Sequence, residues 1–380
     1  MKRTMKNQER QIARMGAVMA MFVFFMATVP GCHDKTPIKV GFVGCLTGRL
    51  SDLGTMGRNG VMLAVEQVNE AGGIKGRPVE LVIRDDQHDP DVALQVDKEL
   101  IEAGVAAIIG HMTSTMSLAA VPLMNSEKML MISPTTSTDK LAGIDDYFLR
   151  IMPTSKMAIE NLAHYIFETL ELRDLIVVYD LSNPAYTEAW YHDFTSAFES
   201  MGNASIVAET FTSDADAYYP EMAQNLIDSG AEGVVIVAGA LDAAMICQQL
   251  RKSGSDLPIF VSGWAKTPAF LQHGGSVVEG VIFSQLFDSA STHKNYLLFK
   301  EQFGERFQKD PDFAAAFGYD AAQILLTALS AGHSGLAVKE AIINHTFQGL
   351  HGDITIDSYG DTGPRRILVT VKNGQFITME

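Results

Sequence analysis

Two stretches of this chain place several hydroxyl side chains where an apolar run gives way to a turn. The run at 106–110 closes on His111, Met112, Thr113, Ser114 and Thr115, and a helix is expected to begin near 114. The run at 129–133 closes on Pro134, Thr135, Thr136, Ser137 and Thr138. Hydroxyls beside the free N–H groups of a helix start form an uncharged anion site. Two such turns on adjacent strands suit a carboxylate. Helix capping and turn chemistry alone would call for the same residue types.

Other strand ends carry larger groups. The stretch VYDLSNPAY brings Tyr186 over one of them, and VAGALDA and VSGWA bring Asp242 and Trp264 over two more. Asp242 has a second reading as a helix N-cap, and Trp264 as a packed surface ring. The candidate ligand contacts are therefore Ser114, Thr115, Thr135, Ser137, Tyr186, Asp242 and Trp264. Asp320 lies on the apolar face of its helix with Phe313, Phe317 and Ile324, where a carboxylate needs a partner and reads as a structural hydrogen bonder. Arg84, Asp85, Asp86, His88 and Asp89 form a cluster with oxygen and imidazole donors. Its position at a strand end and a helix cap favours local structure over a metal.

Enzyme motifs are missing. Gly41 and Gly44 follow the first strand without completing GxGxxG, and GxxxxGK[ST], GxSxG and HExxH do not occur. No cofactor is expected. Acidic residues outnumber basic ones 45 to 29 over 380 residues, a formal charge of −16. A body that acidic repels phosphate backbones, which argues against nucleic acid as a partner. With 47% apolar and 19% charged residues the chain can bury large cores.

These groups must be positioned by alternating elements. Short apolar runs at 38–44, 79–85, 106–110, 129–133 and 147–151 read as strands, with helices at 57–72 and after the Asp89-Pro90 cap between them. The cycle restarts with strands at 175–180, 205–211, 233–239 and 258–263, and helices from about 184, from about 217 and up to Gly254. Helices follow at about 293–308, 312–331 and 335–344, and Asn373-Gly374 reads as a hairpin turn. The pattern implies α/β architecture: parallel central sheets with right-handed crossovers, in two Rossmann-like lobes.

The start of the chain reads as an address. Residues 1–15 are basic, and 16–29 form an uncharged, mostly apolar run of 14 residues, short for a bilayer span of about 20. The leader 1–31 fits a lipoprotein signal peptide, with Cys32 after Val29-Pro30-Gly31 as the lipidated residue, and 32–37 as linker. After the leader, no stretch reaching about 18 consecutive apolar residues is seen. A body tethered at its start is expected. Cys247 lies mid-helix and reads as a buried free thiol.

Taken together, the opening 38–93, the stretches AAIIGHMTS, MLMISPTTS and AAAFGYDAAQ, and the closing DITIDSYGDTGPRRILVTVKNGQF resemble the leucine/isoleucine/valine-binding proteins of ABC transporters, which are type I periplasmic binding proteins. The resemblance runs over about 38–377. It implies two lobes joined by three crossing strands and closing on a ligand: 38–152 with 286–351, and 153–285 with 352–380. Its carboxylate-binding serine falls on Ser114, its second hydroxyl on Ser137, a backbone contact on Thr135, and its second-lobe tyrosine on Tyr186. Its ammonium-binding acid falls near Trp264, a departure that leaves Asp242 as the nearest counter-charge. Its first-loop aromatic falls on Leu53, and a disulfide cysteine on Thr113. The implied function is an extracytoplasmic, lipid-anchored receptor that delivers an amino acid or related small carboxylate to ABC permease subunits. The alternatives are a sensory subunit, or a receptor for aromatic acids or amides.

Overall fold

A computed structural model describes residues 36–213, 218–332, 335–363 and 366–379. The leader and Cys32 lie outside the described residues.

The first sheet is wholly parallel. Strand β1 (Ile38–Gly44) is its near-central member, with β2 (Val79–Asp85) on one side and β3 (Ile108–Ile109), β4 (Met131–Ser133) and β5 (Phe148–Arg150) on the other. Both faces of β1 are covered, so from Val40 onward it reads as a continuous apolar run. Helices α1 (Ser51–Glu70), α2 (Pro90–Glu102) and α3 (Ser114–Glu127) make the crossovers. Asp89 caps α2 as expected, accepting from the backbone N–H groups of Asp91 and Val92 at 2.8 and 3.2 Å.

Helix α1 starts six residues before the periodicity suggested. Its N-terminal turn contains Gly54, a weak helix former. A Cβ there would sit 1.8 Å from the Cys45 carbonyl oxygen, so the turn after β1 and the start of α1 pack backbone to backbone. Tertiary contact overrides propensity at this point.

The chain then builds a second sheet. After α4 (Lys156–His164) come β6 (Asp174–Asp180), α5 (Pro184–Glu199), β7 (Ser205–Phe211), α6 (Tyr219–Asp228), β8 (Gly233–Val237), α7 (Ala240–Lys252), β9 (Ile259–Val261), α8 (Pro268–Gly274) and β10 (Ile282–Gln285). These strands run parallel in the order β10-β9-β8-β6-β7.

Helices α9 (Lys294–Phe307), α10 (Phe313–Ser330) and α11 (Leu336–Ile342) return to the first lobe, where α10 lies along α1. A Cβ on Gly60 would stand 2.0 Å from the Ala315 carbonyl oxygen, which shows how close the two backbones run. Helix α10 has the length and hydropathy of a membrane span, yet it is a core helix with most of its side chains buried. Asp320 on it accepts from the Leu350 N–H at 3.1 Å, the structural role expected.

A hairpin of β11 (His345–Gly349) and β12 (Gly352–Ile356), turning at Leu350-His351 between two glycines, precedes β13 (Ile367–Lys372) and β14 (Gln375–Thr378). The last pair turns at Asn373-Gly374 and adds antiparallel to β10. Cys45 and Cys247 are both buried and free.

Candidate ligand-binding site between the lobes

The carboxyl ends of both sheets face each other, which is where open parallel sheets hold ligands. A cavity lies there, lined from both lobes. Ser114, Thr135 and Ser137 line it from the first lobe, and Tyr186 and Trp264 from the second.

The first-lobe wall is built on β3 and β4. Helix α3 starts at Ser114; its N-cap residue Thr113 makes no side-chain cap, and its first turn carries no acid. The turn after β4 folds against it: Ser137 N–H donates to Ser114 Oγ at 3.4 Å, and Thr135 Oγ1 donates to the Met112 carbonyl at 2.5 Å. Ser155 Oγ donates to Ser137 Oγ at 3.0 Å. Ser114 and Ser137 are thus neighbours, both nearly buried.

His111 anchors this wall. Its Nδ1 lies 2.8 Å from Asp86 Oδ2 and its Nε2 3.1 Å from Asp97 Oδ2, all fully buried. Burial favours a neutral ring, but the Asp97 charge and the hydrogen bonds to both carboxylates outweigh it and push the imidazole up to about 10. Its carbonyl accepts from Ser133 Oγ at 2.7 Å, which ties β4 to the turn carrying Ser114. The acidic cluster at 85–89 therefore has local work. Asp85 accepts from Leu46 N–H and the Thr47 hydroxyl, Asp86 holds His111, and Asp89 caps α2.

The second-lobe wall starts at α5. Asn183 precedes the helix without capping it through its own side chain, and the first turn holds no acid. Tyr186 packs edge-on against Trp264 with ring centroids 5.8 Å apart, and burial pushes its phenol up to about 12. Gln285, at the end of β10, donates to the Gly263 carbonyl at 3.2 Å.

Two expected contacts do not line the cavity. Thr115 bridges the lobes instead: its N–H and Oγ1 donate to Asn183 Oδ1 at 3.1 and 2.9 Å, and its hydroxyl accepts from the Ala185 N–H at 3.2 Å. Asp242 is fully buried and engaged elsewhere. Arg49 Nη2 meets its Oδ1 at 2.5 Å, the Ser213 hydroxyl donates to its Oδ2 at 2.6 Å, and Tyr219 donates to it as well. With its oxygens so occupied, Asp242 does not serve as a counter-charge in the cavity.

Other lining residues had weaker signals. Asn183, before Pro184, carried an N-cap signal that could have singled it out. Leu53, Trp190, Ser284, Gln285 and Phe313 also line the cavity. Phe313 and Trp190 looked like core residues, and β10 followed a helix with no clear pattern. Among the described residues, no Asp, Glu, Lys, Arg or His lines this cavity.

Two α/β lobes enclosing a cavity between their strand ends define a cleft-binding receptor with the type I periplasmic binding protein fold. A family model described as periplasmic binding protein matches residues 37–374, and the chain belongs to that family. Its members place it outside the cytoplasm. The leucine-, isoleucine-, valine-, threonine-, and alanine-binding protein of Pseudomonas aeruginosa is 24% identical over 94% of this chain and 94% of its own. A leucine-binding protein from Thermotoga maritima superposes with a TM-score of 0.82 at 25% identity, covering 90% of this chain and 98% of that one. An ABC transporter solute-binding protein from R. palustris, solved with benzoate, shares the fold with a TM-score of 0.82 at 18% identity, over 90% and 95% of the two chains.

Proposed function

We propose that this protein is the solute receptor of an ABC importer, tethered by lipid at Cys32, and that it takes up a small carboxylate of the amino acid type or a close relative. One observation carries the ligand assignment. The acid-free start of α3 meets the hydroxyls of Ser114 and Ser137, with Thr135 beside them, in the cavity between the lobes. Such a wall can hold a carboxylate through N–H and O–H donors without a cation.

The mechanism follows from the two walls. A ligand seated on Ser114 and Ser137 in the open form gains Tyr186 and Trp264 when the second lobe closes. It shifts the equilibrium only by its preference for the closed form. The closed form, with α3 and α5 bridged by Thr115 and Asn183, is the surface a permease would recognise.

A thermal-shift and calorimetric panel of amino acids and simple carboxylates tests this. A ligand at a hundred times its Kd stabilises the protein by about 2.7 kcal/mol. A folded protein that binds none of them would overturn the carboxylate reading.

A further inference from the structure

We infer, on the carboxylate reading above, that the ligand is a monocarboxylate with an apolar body and no ammonium group. The first ground is the field inside the cavity. Helix α3 from the first lobe and helix α5 from the second both begin at its wall, and neither has an acid in its first turn; Thr115 and Asn183 take one first-turn N–H of each and leave the others. A helix start carries about half a positive charge. Two such starts favour an anion between them and oppose a second, cationic group on the same ligand.

The second ground is the missing partner. Among the described residues the lining contains no carboxylate. Asp242, Asp52 and Asp312 lie outside this lining, although Asp312 Oδ2 has no hydrogen-bond partner among the described residues. Asp242 is held by Arg49, Ser213 and Tyr219; Asp52 accepts from the Thr267 hydroxyl at 3.0 Å; and Asp312 caps α10 through the Ala315 N–H at 3.0 Å, facing a neighbouring crevice. An ammonium enclosed here would lose water without gaining a counter-ion, which is costly in a closed cavity.

The third ground is the rest of the wall. Leu53, Met152, Trp190, Trp264 and Phe313 offer apolar and aromatic surface away from the hydroxyl turns. A branched aliphatic or aromatic body fills it, with the carboxylate on the α3 side.

The test uses the purified wild-type protein and matched pairs in titration calorimetry: isocaproate against leucine, and hydrocinnamate against phenylalanine, with benzoate and hydrocinnamamide added. The expected result is that at least one of isocaproate, hydrocinnamate and benzoate binds, and that each amino acid is weaker than its partner by about a hundredfold or more. If an amino acid binds as tightly as its des-amino partner, or more tightly, the inference is overturned and the carboxylate reading stands. If hydrocinnamamide binds and no carboxylate does, the carboxylate reading fails and the inference with it. Binding of no compound overturns both.

Discussion

Arg49 Nη2 lies 2.5 Å from Asp242 Oδ1, and this ion pair joins the turn after β1 in the first lobe to α7 in the second. Tyr219 and Ser213 hold the carboxylate from the second lobe's side. The arrangement is asymmetric. Opening the lobes leaves Asp242 with two hydroxyl partners and releases Arg49, the more exposed of the pair, to water.

Replacing Arg49 by Met should therefore loosen closure without unfolding either lobe. Partly exposed pairs contribute on the order of 1 kcal/mol, so ligand affinity is expected to fall roughly fivefold. Calorimetric Kd values for wild type and R49M, alongside their unliganded melting curves, check this. An unchanged Kd would remove the pair from the closing contacts.

Ser114→Ala removes a hydroxyl from the carboxylate wall while leaving the turn's backbone in place. A hydrogen bond to a charged group contributes about 1.5–3 kcal/mol, so Kd should rise roughly ten- to hundredfold. Thr115→Val acts differently, because its hydroxyl touches Asn183 and Ala185 rather than the cavity. Its effect should be smaller and similar for every ligand, whereas S114A should penalise carboxylates far more than amides.

Asp312 gives a pH signature. Burial, and then the nearby Asp52 charge, push its carboxyl from 3.8 up to about 7 against the Ala315 hydrogen bond. A raised folded pKa means its contribution is complete below about 3.8 and is lost as pH rises through 7. Asp312→Asn keeps a cap for α10 and removes the charge. Denaturation of both proteins from pH 4 to 8 should show the variant gaining on wild type through that window and levelling off above it. A constant difference would refute the assignment.

His111 should remain an imidazolium at pH 8, with both nitrogens protonated. Its folded pKa of about 10 stands above the usual 6.5, so its contribution is complete below 6.5 and is lost as pH rises through 10. Lys266 works in the opposite sense over part of that range. Burial pulls it from 10.5 down to about 8, so its contribution is lost as pH falls through 8. Global stability mixes the two, and nitrogen chemical shifts of the His111 ring are the clean readout. Titration of that ring near 6.5 would show that Asp86 and Asp97 do not hold it charged.

Much of the scaffold was written in local pattern. The run IKVGFVG is apolar apart from Lys39 because β1 is covered on both faces, and Asp89-Pro90 announces the start of α2 because capping is a contact between near neighbours in the chain. The hydroxyl turns at 113–115 and 135–138 were visible for the same reason. Each ends a strand and begins a turn whose chemistry is local. Where local preference and packing disagreed, the pattern misled: Gly54 argued against a helix that backbone contact with Cys45 imposes.

The roles of charged residues depended on distance in the chain. Asp242 and Arg49 are 193 residues apart, and Thr115 and Asn183 are 68 apart. No periodicity or spacing links such pairs, so an acid free to serve a ligand and an acid already taken by an arginine look identical in sequence. Residue types and short-range order were enough to define two α/β lobes and the hydroxyl-lined strand ends between them. Which of those groups face the cavity, which clasp one lobe to the other, and that no charged side chain among the described residues lines the space between them were decided only when the lobes came together. Electrostatic partnership is set by proximity in space, and only the folded chain specifies that proximity.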